Sequence, residues 1–164
     1  MNDETFDSLS ARWYLRVQRH QLAHRFAAKG YEKYHVIIGV PAVVASTVVG
    51  GFLFSTSDTK PDDWVKLLIG LLSLVSAVLA ALQTFLRFDE LSLHHKIADA
   101  GFGLVRHKIE AQRIASNQSS KWQDQFLANL IAQIEDLSAR SPTIPERFWG
   151  KARLTLLDGG LPTH

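Results

Sequence analysis

The chain has 164 residues, with 18 Lys and Arg against 16 Asp and Glu, one Met and no Cys. That length fits one domain, and the lack of Cys excludes a disulfide scaffold, a thiolate zinc site and a cysteine nucleophile. The net charge of +2 is too small to carry a nucleic-acid partner, and no charged residue occurs over 36–57 or 67–86, so the class is set by where the charges lie.

Residues 1–34 read as a cytoplasmic amphipathic helix. Over 8–33, Trp13, Val17, Leu22, Phe26 and Ala27 make an imperfect helical stripe among basic residues. Such a helix suits either anionic headgroups or a neighbouring helix.

Residues 35–88 read as a transmembrane hairpin, with spans at about 36–54 and 67–86. A helix rises about 1.5 Å per residue and the hydrocarbon core is about 30 Å thick, so about 20 apolar residues cross it. The second span, LLIGLLSLVSAVLAALQTFL, has that length and holds twelve Leu, Ile, Val or Phe. Together they favour insertion by roughly 4–7 kcal/mol. The first, VIIGVPAVVASTVVGGFLF, is diluted by Gly39, Pro41, Gly50 and Gly51. Its β-branched run would read as a strand in water, but in lipid only a helix satisfies every amide of such a span. Pro41 is expected near the helix start, where its missing N–H costs least. The alternative, two core helices of a soluble bundle, calls for a polar face, and neither stretch holds a charge. The first stretch does not read as a secretory signal, because more than thirty residues rich in His, Arg and Tyr precede it without a convincing cleavage pattern.

The flanks give orientation. Arg16, Arg19, Arg25, Lys29 and Lys33 precede the first span, and Arg87, Lys96, Arg106 and Lys108 follow the second. The connecting loop STSDTKPDDWVK sets Lys60 and Lys66 beside Asp58, Asp62 and Asp63. The positive-inside bias therefore puts both termini in the cytoplasm and the loop outside. Tyr31, Tyr34 and His35, with Phe85 and Phe88, are expected at the inner interface, and Trp64 at the outer one.

Residues 89–140 read as a cytoplasmic helical extension. Leu91, Ala98, Phe102, Val105 and Ile109 continue at helical spacing. The second span is therefore expected to run on as a single helix over 67–115, on the order of 70 Å long, with Gly101 and Gly103 permitting a bend. SNQSS (116–120) is a break, and Ser120 with Gln123 matches a capping box. Trp122, Phe126, Leu130, Ile134 and Leu137 form the stripe of a last helix, expected to reach about 139 and fold back on an earlier one. Pro142 and Pro145 stop it, and the tail 141–164 shows no repeating pattern after them. The expected fold class is all-α: a transmembrane hairpin with helical cytoplasmic flanks, assembled as an oligomer.

Helices in lipid attract through close backbone approach and polar contacts. Ala42, Ser46 and Gly50 lie four apart on the first span, and Ser73, Ala77 and Ala81 four apart on the second. Ser76 and Gln83, seven apart, lie on a neighbouring face, with Thr84 beside them. The neutral polar set Ser73, Ser76, Gln83 and Thr84 suits either a span interface or a narrow water-accessible lining. Ala42, Ser46, Gly50, Ala77 and Ala81 suit span packing. Two helices cannot enclose a channel, so any pore needs several copies.

Chemistry-bearing motifs are sparse. His20 and His24 have the spacing of a zinc pair, but no adjacent Glu completes a metalloprotease motif. His94 and His95 lie near Asp89, Glu90 and Asp99, yet consecutive residues point to different faces of a helix, which also separates Asp89 from Glu90 as an acid–base pair. No phosphate-cradling loop or nucleophile elbow occurs. Neither an enzyme nor a resident metal or cofactor is expected.

Three segments carry a resemblance: AKGYEKYHVIIGVPAVVASTVVG (28–50), SAVLAALQTFLRFDELSLHHKIADAGFGLVRHKIE (76–110) and SPTIPERFW (141–149). With the order of basic helix, two spans, short outer loop and helical extension, they resemble the SLATT superfamily of small bacterial two-span membrane effectors associated with nucleotide-signalling conflict systems. Leu82 to Phe88 match its LQTFL-type stretch, His94 or His95 its early histidine, Leu104 to Glu110 its step from Leu to Ile-Glu, and Pro142, Ile144 and Pro145 its terminal stop. The resemblance implies an inner-membrane effector that forms a pore or disrupts the membrane when phage-triggered nucleotide signalling switches it on. The chain has no recognisable nucleotide sensor, so a nucleotide-sensing or nucleotide-synthesising partner is implied, besides lipid and further copies of the chain. Two other readings compete: a membrane-anchored scaffold without pore activity, and a small metal transporter using His94, His95 and Asp99.

Overall fold

The computed structural model describes residues 6–55, 61–114 and 120–158. They form five helices and no strand: α1 (Phe6–Ser55), α2 (Asp63–Leu86), α3 (Phe88–Ile114), α4 (Ser120–Arg140) and α5 (Glu146–Leu157). Residues 56–60 of the connecting loop, most of the expected break at 116–120 and the side chain of the expected Ser120 cap lie outside the described residues.

Three local expectations change. The basic helix and first apolar stretch are one helix, so Pro41 sits in the interior of α1 and not near its start. Its ring removes the bond its N–H would have made to the Ile37 carbonyl, a loss of about 3 kcal/mol in a water-exposed helix. The single helix expected over 67–115 is divided: Arg87 caps α2 in the left-handed region, at φ 42° and ψ 46°. Neither glycine nor proline marks that position. An ion pair from Arg87 to Glu90 is formed just past the break. The tail expected to lack pattern contains α5. Pro145 enters it at φ −59° and ψ 143° and Glu146 sits in its first turn, where a carboxylate complements the positive helix end.

The chain divides into two compact units. The first comprises residues up to Lys29 and those from Leu91 on, and is a four-helix unit. Val17, Phe102, Val105, Ile109, Leu130 and Ile134 form its main cluster, with Trp13, Phe126 and Leu137 against it. A smaller cluster of Leu22, Ala23 and Ala152 holds α5, with Ile144, Trp149 and Leu156 around it. Ser92 Oγ donates to the Ala28 carbonyl, Tyr14 to Glu110 and Lys108 to Gln133. These bonds join α1 to α3 and α3 to α4 beside an apolar core.

The second unit, Gly30–Glu90, is a helix pair made of the later part of α1 and α2. Its contacts step forward along α1 as they step back along α2: Gly39 meets Gln83, and Ser46 meets Ser76. The two helices are therefore antiparallel. The least exposed positions are 35, 38, 42, 45, 49 and 52 on α1 and 65, 69, 72, 76, 79 and 83 on α2, alternating by three and four, with Gly39 and Gly50 beside them. That alternation is the seam of a left-handed helix pair, in which side chains repeat about every 3.5 residues.

Candidate functional site

The seam of the helix pair is polar at two levels. Ser46 Oγ lies 2.5 Å from Ser76 Oγ, and the two hydroxyls lie 2.9 Å and 3.1 Å from the Ala42 carbonyl oxygen. Two hydroxyl protons serve these three oxygens, so one serine donates to the carbonyl and the other to its partner hydroxyl. Ser76 is buried, as are Ala42 and Ala45 beside it. Small side chains at this level let the backbones approach closely enough for a hydroxyl on α2 to reach a carbonyl on α1.

One level nearer the α1 N-terminus, the Gln83 amide lies over Gly39. A Cβ built on Gly39 would stand 2.7 Å from Gln83 Nε2, so the glycine makes room for the amide. The two residues border a cleft of about 360 Å³ whose other walls are His35, Val36, Val40, Val43 and Val44. His35 Nδ1 is buried without a hydrogen-bond partner. An imidazole and an amide thus share an otherwise valine-lined cleft.

The residues singled out in the sequence separate into two sets. Ala42, Ser46, Ser76 and Gln83 come together at the seam. Ser73, Thr84, Ala77 and Ala81 are exposed, with the Thr84 hydroxyl donating to the Ala80 carbonyl of its own helix. Nothing lies within 4 Å of a Cβ built at Gly50. Within one chain, then, α2 meets α1 through the face of Ile69, Leu72, Ser76, Leu79 and Gln83, not through the small-residue face of Ala77 and Ala81. The physical reason is that three- and four-residue spacing fixes a face only up to rotation about the helix axis, and the hydroxyl and amide contacts select the rotation. Gly39, read at first only as diluting the span, is the residue that admits Gln83.

A second polar cluster lies in the four-helix unit. His24 Nδ1 and His95 Nδ1 are 2.9 Å apart although 71 residues separate them in the chain, and both side chains are buried. One nitrogen must carry the proton and the other accept it, so the rings hold opposite tautomers. Burial, then the neighbouring His95 and His20, pushes the His24 pKa down to about 4. Burial, then His94, also lowers that of His95. His24 stacks on Phe102 at 5.5 Å, and Arg25 Nε donates to Asp99 at 3.1 Å. His94 is exposed while His95 turns to His24, so the adjacent histidines do not converge. Among the described residues no three His, Cys, Asp or Glu side chains gather in a metal-holding group.

The chain is thus all-helical among its described residues, with two stretches long and apolar enough to cross a membrane. Compared with known proteins, it matches no family model, and no curated protein or solved structure is similar to it.

Proposed function

We propose that the chain is a small integral membrane effector: α2 and the apolar part of α1 cross the bilayer, both termini lie in the cytoplasm, and several copies assemble to permeabilise the membrane. The observation that carries this reading is the surface of the helix pair. Phe54 and Phe85 are 87% and 85% exposed, and Val43, Leu67 and Leu74 exceed 60%. The most apolar windows of the two stretches are only 17% and 6% buried. A core helix of a soluble unit hides its apolar face, so surface of this kind calls for lipid. The basic flanks support the orientation.

Assembly is supported on α3, where Leu93, Ile97, Ala100 and Leu104 follow one another at spacings of four, three and four. Leu93, Ile97 and Leu104 are 56%, 59% and 66% exposed. This apolar seam resembles the face by which helices of separate copies pair. In the arrangement described, Ser76 and Gln83 are occupied by the first apolar stretch. Permeation then requires the pair to rotate until they, with Ser73 and Thr84, face a lumen shared by several copies. The bacterial inner membrane, anti-phage defence and a nucleotide signal or nucleotide-sensing partner as trigger follow from the resemblance to the SLATT superfamily and stand as part of the proposal.

Dye leakage from liposomes carrying the purified chain tests this reading. The full chain is expected to release dye, and Gln83→Leu to abolish release while inserting normally. Unchanged release by Gln83→Leu removes Gln83 from the pathway. One observation favours a second reading, a membrane-anchored scaffold: the Ser76 hydroxyl is bonded inside the helix pair and Gln83 packs on Gly39. That reading expects no leakage from either protein.

A further inference from the structure

In the four-helix unit, one helical turn before His24, α1 and α5 line a groove of about 600 Å³. Arg16, Arg19 and His20 line it from α1, and Glu146, Trp149 and Arg153 from α5. Arg16 and Arg19 are neighbours on one helix face, where like charges cost about 0.2–0.5 kcal/mol per pair. Arg12 continues the same row. Elsewhere in this unit three arginines meet carboxylates, Arg25 with Asp99, Arg106 with Glu110, and Arg140 with Asp136, while Arg147 lies over the Phe148 ring. Among the groove's lining residues Glu146 is the one carboxylate, and it stands 3.9 Å from Arg153, at the outer limit of an ion pair.

The groove is also shaped. The Arg16 guanidinium carbon lies 5.1 Å from the centroid of the Trp13 ring, a cation–π contact that steadies the side chain beside the groove. His20 stacks on Phe102 at 5.1 Å and meets Trp149 edge-on at 4.9 Å, so imidazole and indole form a rigid floor. Planar guanidinium forks match the oxygen spacing of phosphate, and several together favour an anion of more than one charge. The volume is that of a small-molecule site.

We propose that this groove binds a phosphate-bearing anion of two or more charges, held by Arg16 and Arg19 from α1 and Arg153 from α5 over the His20–Trp149 floor. The anion is either a soluble phosphorylated small molecule or the headgroup of an acidic lipid; the recognising chemistry is the same. The proposal does not rest on pore formation, because binding is read without reference to leakage.

The test uses the full chain in phosphatidylcholine nanodiscs titrated calorimetrically with sodium pyrophosphate, and the same titration in discs containing cardiolipin or, at equal surface charge, phosphatidylglycerol. Saturable binding in neutral discs is expected, weakened about tenfold or more by Arg16→Gln with Arg19→Gln and, separately, by Arg153→Gln on the other wall. Arg140→Gln, remote from the groove lining, is expected to leave it unchanged. Burial, then Arg16 and Arg19, hold the His20 pKa below its ordinary value, so saturation with pyrophosphate is expected to raise it by NMR titration, a response that a purely structural arginine row would not give. Suppression of pyrophosphate binding by cardiolipin beyond that given by phosphatidylglycerol at equal surface charge assigns the site to a lipid headgroup; equal binding in the two anionic discs assigns it to a soluble ligand. Absence of arginine-dependent binding in every kind of disc, or equal weakening by Arg140→Gln, overturns the proposal.

Discussion

The four-helix unit and the helix pair use the same helical spacing to opposite ends. In the four-helix unit the interior holds Val17, Phe102, Ile109 and Leu130, each at most 2% exposed. In the helix pair the buried positions are Gly39, Ala42, Ala45 and Ser76, while Val43, Leu67, Leu74 and Phe85 face outward. In water the first arrangement is driven by burial of large apolar groups. The second offers little such burial and is driven by close approach and hydrogen bonds between helices. One chain thus carries two packing rules, and under the proposed membrane placement the change of rule marks a change of solvent.

Truncation of large side chains gives the largest contrast between the units. Phe102→Ala should destabilise the four-helix unit by about 3–5 kcal/mol, the cost of a buried aromatic and the cavity it leaves. Leu74→Ala in the helix pair should change stability by less than about 0.5 kcal/mol. Denaturant titration in mild detergent checks both; comparable losses at the two sites would erase the distinction.

Acid should act on the four-helix unit through its histidine pair. With His24 held down to about 4, the folded state binds fewer protons than the unfolded one. Stability present above about pH 6.5 is therefore lost as pH falls toward 4, by on the order of 3 kcal/mol. The groups bearing on His24 are His95 and His20, with the Arg25–Asp99 pair on the neighbouring positions of the same two helices. His24→Asn is expected to flatten this dependence in thermal melts across that range. An unchanged slope would exclude the pair as its source.

Smaller effects separate the two candidate faces of α2. Gly39→Val should displace Gln83 and weaken the helix pair by about 1–3 kcal/mol, whereas Ala81→Val, on the exposed face, should be nearly neutral in one chain. If Ala81→Val instead lowers the subunit number seen by mass photometry, the Ala77–Ala81 face joins copies. Ser76→Ala is expected to cost less than Gly39→Val, about 0.6 kcal/mol, the average of a hydrogen bond between helices in lipid.

Much of this contrast is legible in the residues. Charge is missing over 36–57 and 67–86 because lipid or a dry interior tolerates none there, and a run of twenty neutral residues needs no partner to be recognised. The stripe of Phe126, Leu130, Ile134 and Leu137 likewise announces α4. What depends on distant partners is not legible in this way. The rotation of α2 that selects Ser76 and Gln83 over Ala77 and Ala81 is fixed by Ser46 and Gly39 across the pair. His24 and His95 gain their meaning only when α1 and α3 are brought together. α5 carries a stripe of only three positions, Phe148, Ala152 and Leu156, four apart and easily overlooked, and Pro145 reads as a stop for α4 although it also opens the next helix. At Arg87 the left-handed turn falls on a residue type that rarely adopts it.

The account stands on lipid surrounding the two apolar stretches. The chain has no Cys, so a single Leu74→Cys thiol can be probed with a membrane-impermeant maleimide in carbonate-washed membranes opened to expose both faces. Leu74 is 62% exposed in the single chain, so lipid is what should protect it: no labelling until detergent is added, with Arg140→Cys labelled throughout. Full labelling of Leu74→Cys before detergent, or recovery of the chain in the carbonate supernatant, would contradict the account.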